Sequence, residues 1–258
     1  MTGTGDFFSG NAFAGRYNLW VSQGDVFMTE CEATTPGYSD LADALDGSGL
    51  VLRGGFYPRP GDDLPSGPDG EPAAAIVLVG NVGRDLWSRF VAHSEKGADP
   101  LDDWTRQVLA PIADRFEARV VYPFERPFQP FQRWAMRAGP VAPSPLGLLV
   151  HPEYGLWHAY RAALIFAHRI AVPERRVVAS PCDTCEPRPC LDACPVGAFS
   201  GTGYDVAACA GYLGSPSGAG CLTAGCRARN ACPLAPEHRY GPEHMRFHMA
   251  AFARSRVK

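Results

Sequence analysis

Apolar residues recur along this chain at two spacings. From Leu101 they fall at Trp104, Val108, Ile112 and Phe116, three or four apart, which predicts a helix over Leu101–Phe116 with one face against a sheet. A helix is also expected from Ser39, a capping residue, through Leu41, Ala44 and Leu45 to a stop at Gly47. Arg84–Ser94, Phe131–Ala138 and Glu243–Ala253 read as helices too. Runs of strand length stand at Leu50–Phe56, Ala73–Val79, Arg119–Tyr122, Leu146–Val150 and Trp157–Phe166, and the second, apolar throughout, predicts a central strand. The last two are expected to pair across His151-Pro152-Glu153-Tyr154-Gly155, whose proline and glycine suit a tight reversal. Gly61–Pro72, loaded with Pro, Gly and Asp, is a loop. Helices and strands alternate irregularly, so the expected fold class is α+β, a mixed sheet flanked by helices. Residues 1–37, Gly- and Thr-rich with scattered aromatics, read as an irregular arm on that body.

Length and composition bound this picture. With 258 residues and 46% apolar content the chain can bury a full core and still carry a small second domain. Its net charge is −3 and it has no basic block, which argues against nucleic acid as a partner. The start, Met1-Thr-Gly-Thr-Gly-Asp-Phe-Phe, lacks the basic and apolar regions of a signal peptide, and no apolar stretch reaches the length of a membrane span. A soluble chain with reduced thiols is expected in the cytoplasm.

The chemistry concentrates in the cysteines. Cys182, Cys185, Cys190 and Cys194 close on Pro195, near the bacterial ferredoxin run in which three cysteines hold one [4Fe–4S] cluster and the fourth reaches a second. Cys209, Cys221, Cys226 and Cys232 follow and again end in Cys-Pro, at Pro233. Two cubane clusters account for eight of the nine cysteines. A tight cysteine loop wraps one cube, and the cysteine opening the next helix points to its neighbour. This wiring gives one cluster Cys182, Cys185, Cys190 and Cys232, and the other Cys194, Cys209, Cys221 and Cys226. Structural zinc wants two separated pairs, and disulfides want an oxidising compartment; neither explains two Cys-Pro endings. Cys31, between Glu30 and Glu32, reads as inert because acidic neighbours disfavour its thiolate. His244 and His248 share a helix face, but no carboxylate or cysteine completes a metal set, so they read as surface or packing residues.

From Phe124 to the last cysteine the sequence resembles the epoxyqueuosine reductases, cobalamin-dependent iron–sulfur enzymes. The resemblance rests on Arg137-Ala138-Gly139, on Leu148-Leu149-Val150-His151-Pro152-Glu153-Tyr154-Gly155, on Cys209-Ala-Gly-Tyr212-Leu213 and on the cysteine runs. Where that family carries a Gly-Leu-Gly-Trp-Ile-Gly-Lys type stretch, this chain has Gly139-Pro-Val-Ala-Pro-Ser-Pro145. The body is also similar to the cobalamin-processing chaperones, through His151-Pro152-Glu-Tyr154-Gly155-Leu-Trp157-His-Ala-Tyr-Arg161 and more weakly over residues 75–122. These likenesses imply a nitroreductase-like, cobalamin-binding-type domain over residues 1–178, a small two-cluster ferredoxin-like domain over 179–240 and a terminal helix over 241–258. They imply a corrinoid held by His151, Tyr154, Gly155, Trp157 and Arg161. Counting back from Arg137 puts Glu125 where the reductases carry a proton-donating aspartate, so Glu125 is the candidate catalytic acid.

The functional expectation is an iron–sulfur oxidoreductase. It takes single electrons from an external flavodoxin, ferredoxin or reductase and passes them through two clusters to cobalamin, for removal of its upper ligand or reduction of a small substrate. A ferredoxin-type carrier without corrinoid and an epoxyqueuosine reductase-like enzyme acting on tRNA are the alternatives.

Overall fold

The computed structural model describes residues 37–93, 97–200 and 203–256, all belonging to one compact unit, Pro36–Lys258. The arm expected over residues 1–37 and Cys31 lie outside the described residues, apart from Gly37.

Four strands form the main sheet: β1 (Val51–Phe56), β2 (Ala75–Val82), β3 (Ala118–Val121) and the long strand from His158 to Phe166. With β4 (Ala142–Pro143) and β5 (Leu149–Val150) preceding it in the chain, that long strand is β6. The order is β1-β2-β6-β3, and every neighbouring pair is antiparallel. The expected mixed sheet is therefore corrected to an antiparallel one. The reason lies in the crossover. Helices α2 (Asp85–His93) and α3 (Pro100–Arg115) carry the chain from β2 to β3, both of which run opposite to β6; β6 then fills the gap between them.

The two middle strands read as unbroken apolar runs because both faces of the sheet are covered. Val77, Val79, Leu164 and Phe166 meet Leu41 of α1 (Tyr38–Ala44), Leu86 and Phe90 of α2, and Trp104 and Leu109 of α3. Ile76, Leu78 and Ile165 meet Trp134, Ala135 and Ala138 of α4 (Phe131–Ala138) on the opposite face. Ala75 to Val79 and Ala162 to Phe166 have no exposed surface at all.

Two bulges at one level of the sheet place arginines. In β6, Ala162 pairs with Val79 and Tyr160 with Gly80, so Arg161 is the extra residue and its side chain swings onto α3. In β1, Leu52 pairs with Val79 and Gly55 with Val77, which puts Arg53 and Gly54 in the irregular step. Gly54 adopts a φ of +87°, and a Cβ there would come within 2.2 Å of the Ala138 carbonyl oxygen, so β1 and α4 touch through bare backbone.

The expected hairpin between Leu146–Val150 and the following strand does not form as a strand pair. Leu149 and Val150 pair instead with Pro143 and Ala142. His151 and Gly155 close the turn on themselves with two reciprocal backbone hydrogen bonds of 2.9 Å. Beyond β6 the chain runs without regular structure into the cysteine segment, whose short helices are α5 (Pro189–Asp192), α6 (Val206–Leu213), α7 (Ala219–Ala224) and α8 (Arg227–Asn230). The Asp205 carboxylate caps α6 by accepting from the Ala208 amide at 2.9 Å. The last helix, α9 (Pro242–Arg256), returns to the body and packs Phe247 against Trp87 and Phe90 of α2.

Candidate redox site and its adjoining cavity

Eight cysteines of the described segment are free thiols. They fall into two neighbourhoods. Burial and then the charges of Cys232, Cys185 and Cys190 raise Cys182, and burial, Cys232 and Cys185 raise Cys190. Burial, with Cys194 and Cys221 adding to it, raises Cys209; burial, with Cys209 and Cys221 adding to it, raises Cys226. The thiol charges that raise these four come from within two sets, 182/185/190/232 and 194/209/221/226. Tyr204 belongs to the second quartet: burial, a hydrogen bond to Cys209 and the charges of Cys209, Cys226 and Cys194 raise its phenol. Among the described residues no three His, Cys, Asp or Glu side chains converge on a single metal ion. A cavity of about 500 Å³ opens beside the first quartet, lined by Cys182, Cys185, Cys232, Pro187 and Leu234.

The cysteine segment is joined to the sheet through the His151–Gly155 turn and Trp157. Leu146, Val150 and Leu156 form one apolar cluster with Ala228, and Cys182, Cys190, Cys194, Cys226 and Cys232 pack against it. Trp157 is fully buried, with the guanidinium of Arg229 4.8 Å and that of Arg239 5.6 Å from its ring centre. Arg229 donates to the Leu156 carbonyl at 2.5 Å, and Arg239 to that of Asn230 at 2.9 Å.

The five residues assigned to a corrinoid by resemblance do not converge on one cavity. His151 and Tyr154 stack at 4.3 Å and line a cavity of about 220 Å³ with Arg53 and Tyr160. The His151 Nδ1 accepts from the amides of Glu153 and Tyr154, at 3.1 and 3.3 Å, so the ring is held as the Nε2–H tautomer. Burial, then Arg53, Arg176 and His238, lower its pKa to about 4. Gly155 lies against the backbone of Leu234, Trp157 sits inside the joint, and Arg161 donates to Asp102 at 2.6 Å and to Thr105 at 3.3 Å. Burial lowers the Arg161 pKa and Asp102 raises it back. These residues hold the segments together.

Glu125 stands apart as well. Its carboxylate is 45% exposed and takes two hydrogen bonds from Arg106, at 3.1 and 3.3 Å. Phe124 and Tyr122 stack on each other under the same guanidinium, so the acid sits in an exposed ion pair.

Another group of polar side chains gathers at the start of β6. A cavity of about 390 Å³ is walled by Phe131, Leu148, Leu149 and Leu156, and polar groups enter it from His158, Tyr160, Arg229, Tyr240 and His248. The His158 Nε2 donates to the Leu149 carbonyl at 3.0 Å, which ties β5 to β6 and fixes the tautomer. Burial, Arg53 and His151 hold its pKa at about 3. Tyr240 accepts from the Asn81 amide at 3.0 Å and stacks on His244 at 4.0 Å. The spacing of His244 and His248 was visible in the sequence. Their environment was not, since Trp87 and Arg229 come from other elements and join Tyr240 there.

No protein-family model matches this chain, and no curated protein matches it by sequence. Solved structures of epoxyqueuosine reductase do match. One, crystallised with an epoxyqueuosine-modified tRNA-Tyr stem loop, is 20% identical over 67% of this chain and 52% of its own, with a TM-score of 0.46. A second, from Bacillus subtilis with its catalytic loop swung out of the active site, is 20% identical over 67% of this chain and 54% of its own, at a TM-score of 0.43. A third, from Streptococcus thermophilus, is 17% identical over 63% and 50%, at 0.40. The chain thus spans about half the length of the structures it matches. The expectation that nucleic acid is no partner is overturned by the first of these, which holds a tRNA stem loop. Net charge sums over a whole chain, whereas RNA meets local groups, so a total of −3 excludes nothing. Among the described residues no helix is long and apolar enough to cross a membrane.

Proposed function

We propose that this chain is an iron–sulfur oxidoreductase that delivers single electrons from an external donor protein to an acceptor in the cavity at the start of β6. The observation that carries the reading is the division of eight free thiols into two quartets, with Arg229, between Cys226 and Cys232, reaching the wall of that cavity. All-thiolate sets of four suit cubane clusters. Cys182, Cys185, Cys190 and Cys232 would hold one cluster, and Cys194, Cys209, Cys221 and Cys226 the other. When bound, such clusters supply one-electron transfer at low potential.

The chain's own residues do the rest. Leu148, Leu149, Leu156 and Phe131 exclude water from the acceptor, Arg229 supplies positive charge, and Tyr240 and His248 offer exchangeable protons at the wall. Of the five residues that the resemblance assigns to a corrinoid, His151 and Tyr154 line the cavity of about 220 Å³ and none lines that of about 390 Å³. A single ring, free or presented as a nucleoside, suits that volume, which favours a nucleoside acceptor.

The test is anaerobic reconstitution followed by iron analysis and electron paramagnetic resonance, then single-turnover oxidation of the reduced protein by an epoxyqueuosine-modified stem loop, with cobalamin alongside. Two reducible clusters and oxidation by the stem loop support the reading. Oxidation by cobalamin with stoichiometric retention through gel filtration would restore the corrinoid enzyme, and two clusters with no acceptor chemistry would leave a carrier.

A further inference from the structure

The His244 and His248 Nε2 atoms lie 2.9 Å apart on successive turns of α9. At that distance one ring donates and the other accepts, so the pair holds a single proton between two nitrogens. His244 is 1% exposed and clamped between Trp87, stacked at 4.8 Å, and Tyr240, stacked at 4.0 Å; its Nδ1 is buried without a partner. His244 therefore communicates only with His248. His248 lines the cavity, and its Nδ1 is not among the buried unpartnered atoms.

The charges facing this pair are one-sided. From β6 comes Arg161, already engaged by Asp102 of α3; from α8 comes Arg229; the loop before α9 brings the neutral phenol of Tyr240, and α2 brings only Trp87. Arg239 lies over Trp157 instead. Arg229 has no carboxylate partner among the described residues, and its Nε is buried without one. No carboxylate lines the cavity. Half-buried, bonded to the Leu156 carbonyl and lying over the Trp157 and Tyr240 rings, this guanidinium leaves the cavity wall positive and without a carboxylate to balance it.

We propose that the cavity at the start of β6 binds a small apolar ring bearing one negative charge, which pairs with Arg229 and is matched by a proton taken up on the His248–His244 pair. The resting pair is neutral, since burial and the fields of Arg229 and Arg161 lower both imidazoles to about 3, His248 adding to the effect on His244. An anion between Arg229 and His248 reverses that field. The proton enters at His248 from the cavity side, and the bond to His244 then becomes an imidazolium N–H donating to a neutral nitrogen, stronger than the neutral bond it replaces. Nothing is oxidised or reduced in this step: the proton comes from solvent and returns when the ligand leaves. The inference stands independently of the redox reading. In a reductase the same uptake would answer charge arriving on the acceptor as electrons.

Benzoate is the probe, with benzamide as its neutral isostere. Isothermal titration of the anaerobically purified full chain, in buffers of different ionisation enthalpy from about pH 6.5 down to about 5, counts protons exchanged on binding. The expected result is benzoate binding with proton uptake that grows as pH is lowered towards 5, weaker binding as pH rises, and no uptake with benzamide. Arg229→Gln should weaken benzoate at least about tenfold, and His248→Gln should abolish the uptake while leaving some binding. Failure of benzoate to bind, binding without proton exchange, or uptake unchanged in His248→Gln overturns the proposal. The arms on the unaltered protein decide it even where a variant does not fold.

Discussion

Gly155 rests against Leu234 so closely that a Cβ on the glycine would lie 2.7 Å from the Leu234 carbonyl oxygen. Its φ of +56° adds a conformation that side-chain-bearing residues resist. This contact fixes the turn after β5 to the residue that follows Cys232-Pro233, and so fixes the first thiol quartet to the sheet. Gly155→Ala is expected to cost about 1–3 kcal/mol, read as a lower urea midpoint, with faster loss of iron. An unchanged midpoint would mean that the joint yields freely.

Cys232→Ala should remove the iron of the first run although it lies far along the chain. Iron is expected to fall from about eight to about four atoms per chain while the signal of the other cluster survives. About four atoms in the unaltered protein would end the two-cluster reading.

Asp102→Asn leaves Arg161 charged, nearly buried and without a counter-ion. The expected loss is about 3–5 kcal/mol in urea unfolding. Replacing both residues with apolar ones of similar volume should recover most of it.

Glu125→Gln is expected to leave single-turnover oxidation within about twofold and stability within about 1 kcal/mol, because the Arg106–Glu125 pair is exposed. A tenfold loss of turnover with clusters retained would return Glu125 to the chemistry.

Four imidazoles are held neutral by burial first: His151 at about 4 and His158, His244 and His248 at about 3. Unfolded, each binds a proton near pH 6.5. Between those values the unfolded chain takes up protons that the folded chain refuses, so stability falls as pH drops from about 6.5 towards 3, by up to ~1.4 kcal/mol per unit for each group. Urea midpoints at pH 7, 6 and 5 should decline in that order, more gently in His248→Gln; a flat series counts against the burial.

Much of the fold is legible where a pattern is local. The helix from Leu101 is α3 because its apolar spacing needs only one neighbouring surface, and the apolar run from Ala73 is central because both of its faces are covered. What distant pairing decides was hidden. Arg161 stands in an otherwise apolar run, and only the register of β6 against β2 makes it the residue of a bulge, turned towards Asp102. Strand direction was hidden for the same reason, since β6 inserts between two strands that were complete long before it. Two-residue β4, half of it proline, carries no strand signal at all. At the candidate site the thiol spacing was readable, whereas the aromatic clamp on His244 joins residues from α2 and from the loop before α9.

In the proposed wiring Cys232 completes the set begun by Cys182, Cys185 and Cys190, and that would impose an order on maturation. During synthesis the first run emerges early but remains one donor short until Cys232 has been made, after Cys226 has already completed the other quartet. The set that begins first therefore finishes last. Iron delivered to a nascent chain would find Cys182, Cys185 and Cys190 without their own fourth ligand and Cys194, assigned to the other set, beside them, open to a mispaired cluster or the wrong metal. Maturation is best served by a carrier that acts once the ribosome has released the chain.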